Sequence, residues 1–195
     1  MIVIAFCGRL NSGKGTAARI LEEQFGFTPM AFADPLKQIT HQLFGTSKEE
    51  LWGPSERRGK RTRTILQQLG TEFGRKFDPD VWVNQTHARL RKWEFSGIDT
   101  CDLLPPINVE EPRVVITDLR FPNEAKLIVE KWEGSVVKID RPDIERTGVE
   151  HQHASETAID LIDPKHLSLT ITNRNIHSFK AAVKRQVLKV LNAGS

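Results

Sequence analysis

The chain has 195 residues, of which 38% are hydrophobic and 27% charged. That balance fits one globular domain with a real core and sets aside a disordered or fibrous chain. No apolar run approaches the roughly 18–20 residues needed to cross a bilayer, so no membrane partner is expected. The formal net charge of +3 suits anionic ligands without requiring nucleic acid. Cys7 and Cys101 form no framework and no CxxC spacing, which predicts reduced thiols in a cytoplasmic protein.

Residues 2–7, IVIAFC, are apolar and β-prone, with no basic lead. They predict a buried strand, not a signal peptide. A helix follows over 15–25, carrying Ala17, Ile20, Leu21 and Phe25 at helical spacing. Residues 27–33 predict a second short strand. Asp34 then reads as the N-cap and Pro35 as the first residue of a helix over 35–44, with Leu36, Ile39, Leu43 and Phe44 on one face. Residues 45–61 are polar and turn-rich and read as a mobile loop or insertion. Helices are predicted over 62–77, with Ile65, Leu66, Leu69 and Phe73 inward, and over 80–95. The 96–112 stretch has two adjacent prolines and no period, so it reads as a surface loop. A strand (113–118), a helix (122–132) and a strand (135–140) follow. Residues 141–156 read as a polar loop able to move. The chain closes with a strand over 167–173 and a helix over 176–192. Strands alternating with helices predict an α/β fold with a five-stranded parallel sheet and right-handed crossovers. In such sheets ligands bind at the carboxyl ends of the strands.

The chemistry starts after the first strand. Gly8, four residues, then Gly13-Lys14 is the spacing of a phosphate-binding loop, and strand-before, helix-after is its context. Glycines let the backbone wrap an oxyanion, and the new helix N-terminus aims N–H groups at it. Asn11, Ser12, Gly13, Lys14, Gly15 and Thr16 are therefore the expected phosphate-binding residues. Lys14 would reach the β- and γ-phosphates, and Thr16 would lie near Mg2+. One position departs from the general pattern: Gly15 stands where Ser or Thr is usual.

Asp118 ends the apolar strand in VVITDLRF, where such enzymes place a group for Mg2+ or its water shell. Thr16 and Asp118 are thus the metal candidates. Arg120, two residues on, can hold a phosphate in a bidentate fork. Arg63, Gln67 and Thr71 share one face of the predicted helix at i, i+4 and i+8. With Asp34, Gly70 and Arg75 they read either as a second ligand site or as a solvated face. Arg141 and Arg146 read as residues of a lid over the transferring phosphate, or of a solvated loop. His151 and His153 have no third ligand to complete a metal site, and His153 with Glu156 reads as the anchor of the lid's return. Trp82 reads as a packing residue or a base-stacking one. The basic run Arg57–Arg63 admits a solvated loop, phosphate-binding arginines or nucleic acid. It lacks the interleaved aromatics of single-strand binders, so no nucleic-acid partner is expected.

The GKGT sequence at 13–16 resembles the nucleoside monophosphate kinases of the adenylate-kinase type. FADPLK (32–37), ILQQLGTEFGR (65–75), ITDLRFPNEA (116–125) and HASE (153–156) are similar to the deoxynucleoside monophosphate kinases of tailed bacteriophages. The likeness runs from first strand to last, with 45–61 and 96–112 as its loose parts. The resemblance implies a P-loop kinase three-layer sandwich: one domain over 1–195, a substrate-binding helical region over about 34–95 and a lid over about 141–156. It implies transfer of the γ-phosphoryl of ATP to a deoxynucleoside monophosphate, with Mg2+ as cofactor and small-molecule nucleotides as partners. The acceptor side would comprise Asp34, Lys37, Arg63, Gln67, Gly70, Thr71, Arg75, Trp82, Asp118, Arg120 and Glu124. Lys14, Asp34, Arg120, Arg141 and Arg146 would act at the reacting centre. Such kinases often form dimers, so a homodimer is among the expectations, in the host cytoplasm if the gene is a phage's. Two rival readings stand beside this one: a dephospho-coenzyme A kinase, and a P-loop nucleotide-binding module or ATPase.

Overall fold

A computed structural model describes residues 1–54, 57–97, 112–143 and 154–193. Strand β1 (Ile2–Cys7) leads into α1 (Lys14–Phe25), β2 (Thr28–Met30) and α2 (Asp34–Phe44). Two more helices follow, α3 (Lys48–Trp52) and α4 (Lys60–Gln67). The latter runs straight on as a π-helical segment, Gln68–Arg75, before α5 (Val81–Ser96). The second half is β3 (Arg113–Leu119), α6 (Pro122–Trp132), β4 (Ser135–Asp140), α7 (Ala154–Thr157), β5 (Leu169–Thr172) and α8 (Ile176–Ala193). Short 3-10 turns at Ala158–Leu161 and Pro164–His166 separate α7 from β5.

The five strands form one parallel sheet in the order β2-β3-β1-β4-β5. β1 lies in the middle, and its apolar run is buried from both sides, as a central parallel strand requires. Alternate residues feed two cores. Val3, Ala5, Cys7, Val114 and Ile116 pack on one face with Leu90 and Trp93 of α5 and Leu127 and Ile128 of α6. Ile4, Phe6, Val115, Val137 and Ile139 pack on the other with Leu21 of α1 and Phe179, Val183 and Val187 of α8. Each such aliphatic side chain stabilises the fold by about 1.5–3 kcal/mol. The expected five-stranded three-layer architecture is the one observed. Edge strand β2 carries Pro29 in its centre, which removes a donor from the open edge.

The structure corrects several local expectations. The N-cap of α2 is Ala33, and Asp34 is already helical. The expected loop over 45–61 contains α3, capped by Ser47, whose hydroxyl accepts from the Glu50 N–H at 3.2 Å. The inward face expected on α2 is only partly inward. Leu36 is buried, but Ile39, Leu43 and Phe44 are exposed, as is Phe73 in the π-helical segment. Helical spacing identifies an apolar stripe but not what lies opposite it. The stretches holding Cys101, Arg146, His151 and His153 lie outside the described residues. Among the described residues, no helix is long and apolar enough to cross a membrane.

Candidate active site

The site grows from the carboxyl ends of β1, β3 and β4. After Cys7 the chain turns through Gly8 (φ 148°), Asn11 (φ 60°) and Gly13 (φ 113°), the left-handed conformations a phosphate cradle needs. A side chain at Gly13 would meet Asn173 Nδ2 at 2.6 Å. That amide, at the end of β5, donates to the Ser12 carbonyl at 2.8 Å, and the Asn173 backbone N–H donates to the Asp140 carbonyl at 2.7 Å. The loop is thus held from β5, two strands away from β1 across β4. Arg141 touches it too, donating to the Asn11 carbonyl at 3.3 Å. α1 starts at Lys14, so the unpaired first-turn N–H groups of Gly15 and Thr16 belong to the cradle. Gly15 itself is exposed, with nothing near a would-be Cβ. Ser12 Oγ is buried and finds no hydrogen-bond partner among the described residues, a polar group of the loop able to take one from a ligand.

Lys14 folds back over its own loop. Its ammonium donates to the Gly8 carbonyl at 2.5 Å and the Arg9 carbonyl at 2.8 Å. Burial, then repulsion from Arg120, push its pKa down to about 7, with Asp118 and Cys7 pulling the other way. Cys7 is buried, and chiefly for that reason its thiol is pushed up to about 11; it is an inert core residue.

At the end of β3, Asp118 accepts from the N–H groups of Phe32 at 2.8 Å and Ala33 at 3.1 Å. This ties the β2–α2 turn to the strand end. This carboxylate acts on Lys14, Arg58 and Arg120, and Arg63 lies in the field of Arg58 and Arg120. Burial, then its like-charged neighbours Arg63 and Arg120, push Arg58 below its usual range. Arg58 is aimed by the end of α3: its guanidinium donates to the Leu51 carbonyl at 2.7 Å and lies 3.4 Å from that of Glu50. Arg63 Nε donates to the Arg58 carbonyl at 3.1 Å. The basic run therefore splits, with Arg57, Lys60 and Arg61 exposed and Arg58 and Arg63 turned inward.

Arg120 pairs with Glu156, and Glu156 also accepts from the Leu10 N–H of the phosphate loop at 2.7 Å. The buried Glu124 accepts from the N–H groups of Arg120 at 2.7 Å and Phe121 at 3.0 Å, and pairs with Arg75. Burial raises the Glu124 carboxyl to about 7 against the pull of Arg75. Arg75 stacks 3.8 Å from the Phe121 ring centre. Asp34 is buried and accepts from Ala31 N–H at 2.9 Å, Trp52 Nε1 at 3.0 Å, Lys37 at 3.2 Å and Arg89 at 2.7 Å. Burial alone would raise its pKa; Lys37, Arg89 and the hydrogen bonds outweigh it and hold the carboxyl low. Trp82 is buried too, its indole N–H donating to the Gly70 carbonyl at 2.8 Å. That indole is a joint between α5 and the π-helical segment, not an exposed stacking surface. Gln67 and Thr71 are half-buried on the same run.

No family model matches the chain. A protein of Acanthamoeba polyphaga mimivirus, provisionally named a deoxynucleotide monophosphate kinase, is 32% identical over 197 residues, covering 94% of each chain. The chain belongs to the deoxynucleotide monophosphate kinase family. It is a nucleotide kinase, and its fold is that of the P-loop kinases. Dephospho-CoA kinase from Campylobacter jejuni has 13% identity and a TM-score of 0.50, with 99% of this chain and 98% of that one aligned. TT1252 from Thermus thermophilus has 17% identity and a TM-score of 0.51 over 96% of each chain. Both likenesses concern the fold alone.

Two residues of this kinase's site carry no mark in the sequence. Arg58 was one basic residue among several, and only the α3 carbonyls show which of them turns inward. Asn173 lies 161 residues from Ser12, the loop residue that it steadies; no local pattern marks it.

Proposed function

We propose that this kinase transfers the γ-phosphoryl of ATP to the 5′-phosphate of a deoxynucleoside monophosphate. One observation carries the reading: Lys14 of the phosphate loop, Arg58 and Arg120 all feel one strand-end carboxylate, Asp118, and Arg63 joins the set through Arg58 and Arg120. Half of this cationic set belongs to the loop and strand ends, and half to the helical region over 34–95. Two phosphate-bearing ligands meeting end to end would require such a set; a nucleotide switch would need only the first half.

Asn11, Ser12, Gly13, Gly15 and Thr16 hold the donor phosphates in this reading, with Ser12 Oγ and the α1 N–H groups as donors. Thr16 and Asp118 suit Mg2+, which binds through one or two carboxylates together with phosphates and water. When bound, the ion neutralises charge on the donor phosphates. Lys14 and Arg120 neutralise the moving phosphoryl, with Arg141, which touches the phosphate loop at Asn11, beside them. The acceptor is a phosphate oxygen, already ionised near neutral pH, so no strong base is required. Arg58 and Arg63 hold the acceptor phosphate, and Gln67, Gly70 and Thr71 border the nucleoside. Asp34, Lys37, Arg75, Trp82 and Glu124 position these elements.

The test is ADP release from ATP and Mg2+ with each of the four standard deoxynucleoside monophosphates. Dephospho-coenzyme A and no acceptor are the controls. Turnover is expected only with a deoxynucleotide, and Lys14→Ala and Arg120→Ala should each lower kcat by about 100-fold or more. Turnover confined to dephospho-coenzyme A, or equal release without an acceptor, would overturn the reading.

A further inference from the structure

We infer that Glu156 is the positioning residue that locks Arg120 to the phosphate loop. The inference rests on the kinase reading above for Arg120's part in catalysis, but its geometry stands alone. Glu156 is 4% exposed and comes from α7, a helix too short to be stable by itself. Its two carboxylate oxygens take different partners. Oε1 accepts from the Arg120 guanidinium, and Oε2 accepts the Leu10 N–H at 2.7 Å. Leu10 lies inside the Gly8–Gly13 loop, so one buried carboxylate bridges the loop backbone to the end of β3.

Arg120 needs such a restraint. Its neighbours pull it in opposite directions: the carboxylates of Asp118 and Glu124 attract it, and Lys14 and Arg63 repel it. Its backbone is fixed by Glu124, which accepts the Arg120 N–H at 2.7 Å. That bond anchors the main chain but leaves the guanidinium to be directed by other contacts. A charge-assisted bond to a buried carboxylate is strong and directional enough to do so. The Leu10 bond makes it a shared restraint: a shift of Glu156 disturbs both the loop and the arginine.

Two variants separate the two bonds. In Glu156→Gln the amide oxygen can still accept the Leu10 N–H, but the negative charge of Glu156 against Arg120 is gone. In Glu156→Ala both bonds are gone. With the deoxynucleotide that wild type accepts, Glu156→Gln should lower kcat about tenfold or more and change the KM for ATP much less. In an Arg120→Ala background the same substitution should have little further effect, because the residues act as one unit. An equal loss in both backgrounds, an unchanged kcat or a faster enzyme would overturn the proposal.

A second readout needs no turnover. Amide exchange of the segment holding Leu10 should accelerate in Glu156→Ala and stay near wild type in Glu156→Gln. Unaltered exchange in Glu156→Ala would remove the structural half of the proposal. If wild type turned over no nucleotide while this exchange pattern held, the kinase reading would fail and the bridge would stand.

Discussion

At the scale of single residues, the site runs on amino acids held away from their usual ionisation. Lys14, at about pKa 7 in the protein alone, is mostly neutral at pH 8. Phosphate placed against it favours the charged form, so nucleotide binding should draw in a proton. Calorimetric titration with ATP at pH 8, in two buffers of different ionisation heat, should give different apparent enthalpies. The difference should vanish in Lys14→Met; equal enthalpies for wild type would refute the linkage. The same shift predicts a stability trend. Between pH 7 and 10.5 the unfolded chain binds this proton and the folded chain does not, so stability from this group rises with pH across that window. Lys14→Met should remove that rise from the thermal midpoint. Asp34 makes the opposite case, a carboxylate held by its neighbours. Asp34→Ala would leave Arg89, only 1% exposed, buried without that partner, at a cost of about 3–5 kcal/mol in urea unfolding.

At the scale of elements, three glycines give an ordered test. Gly15 faces open space, so Gly15→Ala should leave stability unchanged or raise it by up to about 1 kcal/mol. A Cβ at Gly70 would press on the Leu36 methyl at 2.8 Å, and the end of a flexible side chain can give way. A Cβ at Gly74 would meet the Trp82 ring at 2.8 Å and the Leu69 carbonyl at 3.0 Å. Neither can move freely, because the indole is bonded to Gly70. Urea midpoints should therefore rank Gly15→Ala above Gly70→Ala above Gly74→Ala. Much of this scale was legible in the sequence. The bounds of β1, α6 and β4 follow from apolar runs and from Pro122 opening α6. The short helix α3 had a signal that the loop composition masked: Ser47 followed three residues later by Glu50. The π-helical segment had none, since its hydrogen-bond spacing is set by what packs on it. The pairs Arg75–Glu124 and Arg120–Glu156 join residues far apart in sequence, and only the assembled sheet brings them together.

At the scale of the molecule, the strand order puts β1 and β3 side by side, so the phosphate loop and Asp118 emerge at the same edge. The core and the chemistry thus divide cleanly between the body of the sheet and its carboxyl end. The helical region leaves apolar surface uncovered: Leu43 on α2 is 70% exposed, Phe73 61% and the neighbouring Phe77 79%. Large exposed apolar patches mark interaction surfaces, and Phe73 and Phe77 lie together, ring centres 5.0 Å apart. Kinases of the resembled type often form dimers, so a second copy of the chain is the occupant to test. Light scattering should then give twice the monomer mass for wild type and the monomer mass for a Leu43→Glu, Phe77→Glu double variant. A monomeric wild type would remove the dimer from the picture.

The π-helical segment also leaves a mark on chain length. Each of its hydrogen bonds closes over one residue more than an α-helical bond does. A relative that builds this helix as plain α should reach the Arg75–Glu124 pair with a residue fewer between positions 63 and 80. Aligned without a gap, such a relative would set its arginine one place out of step, and the pairing would look lost where it had only been counted differently.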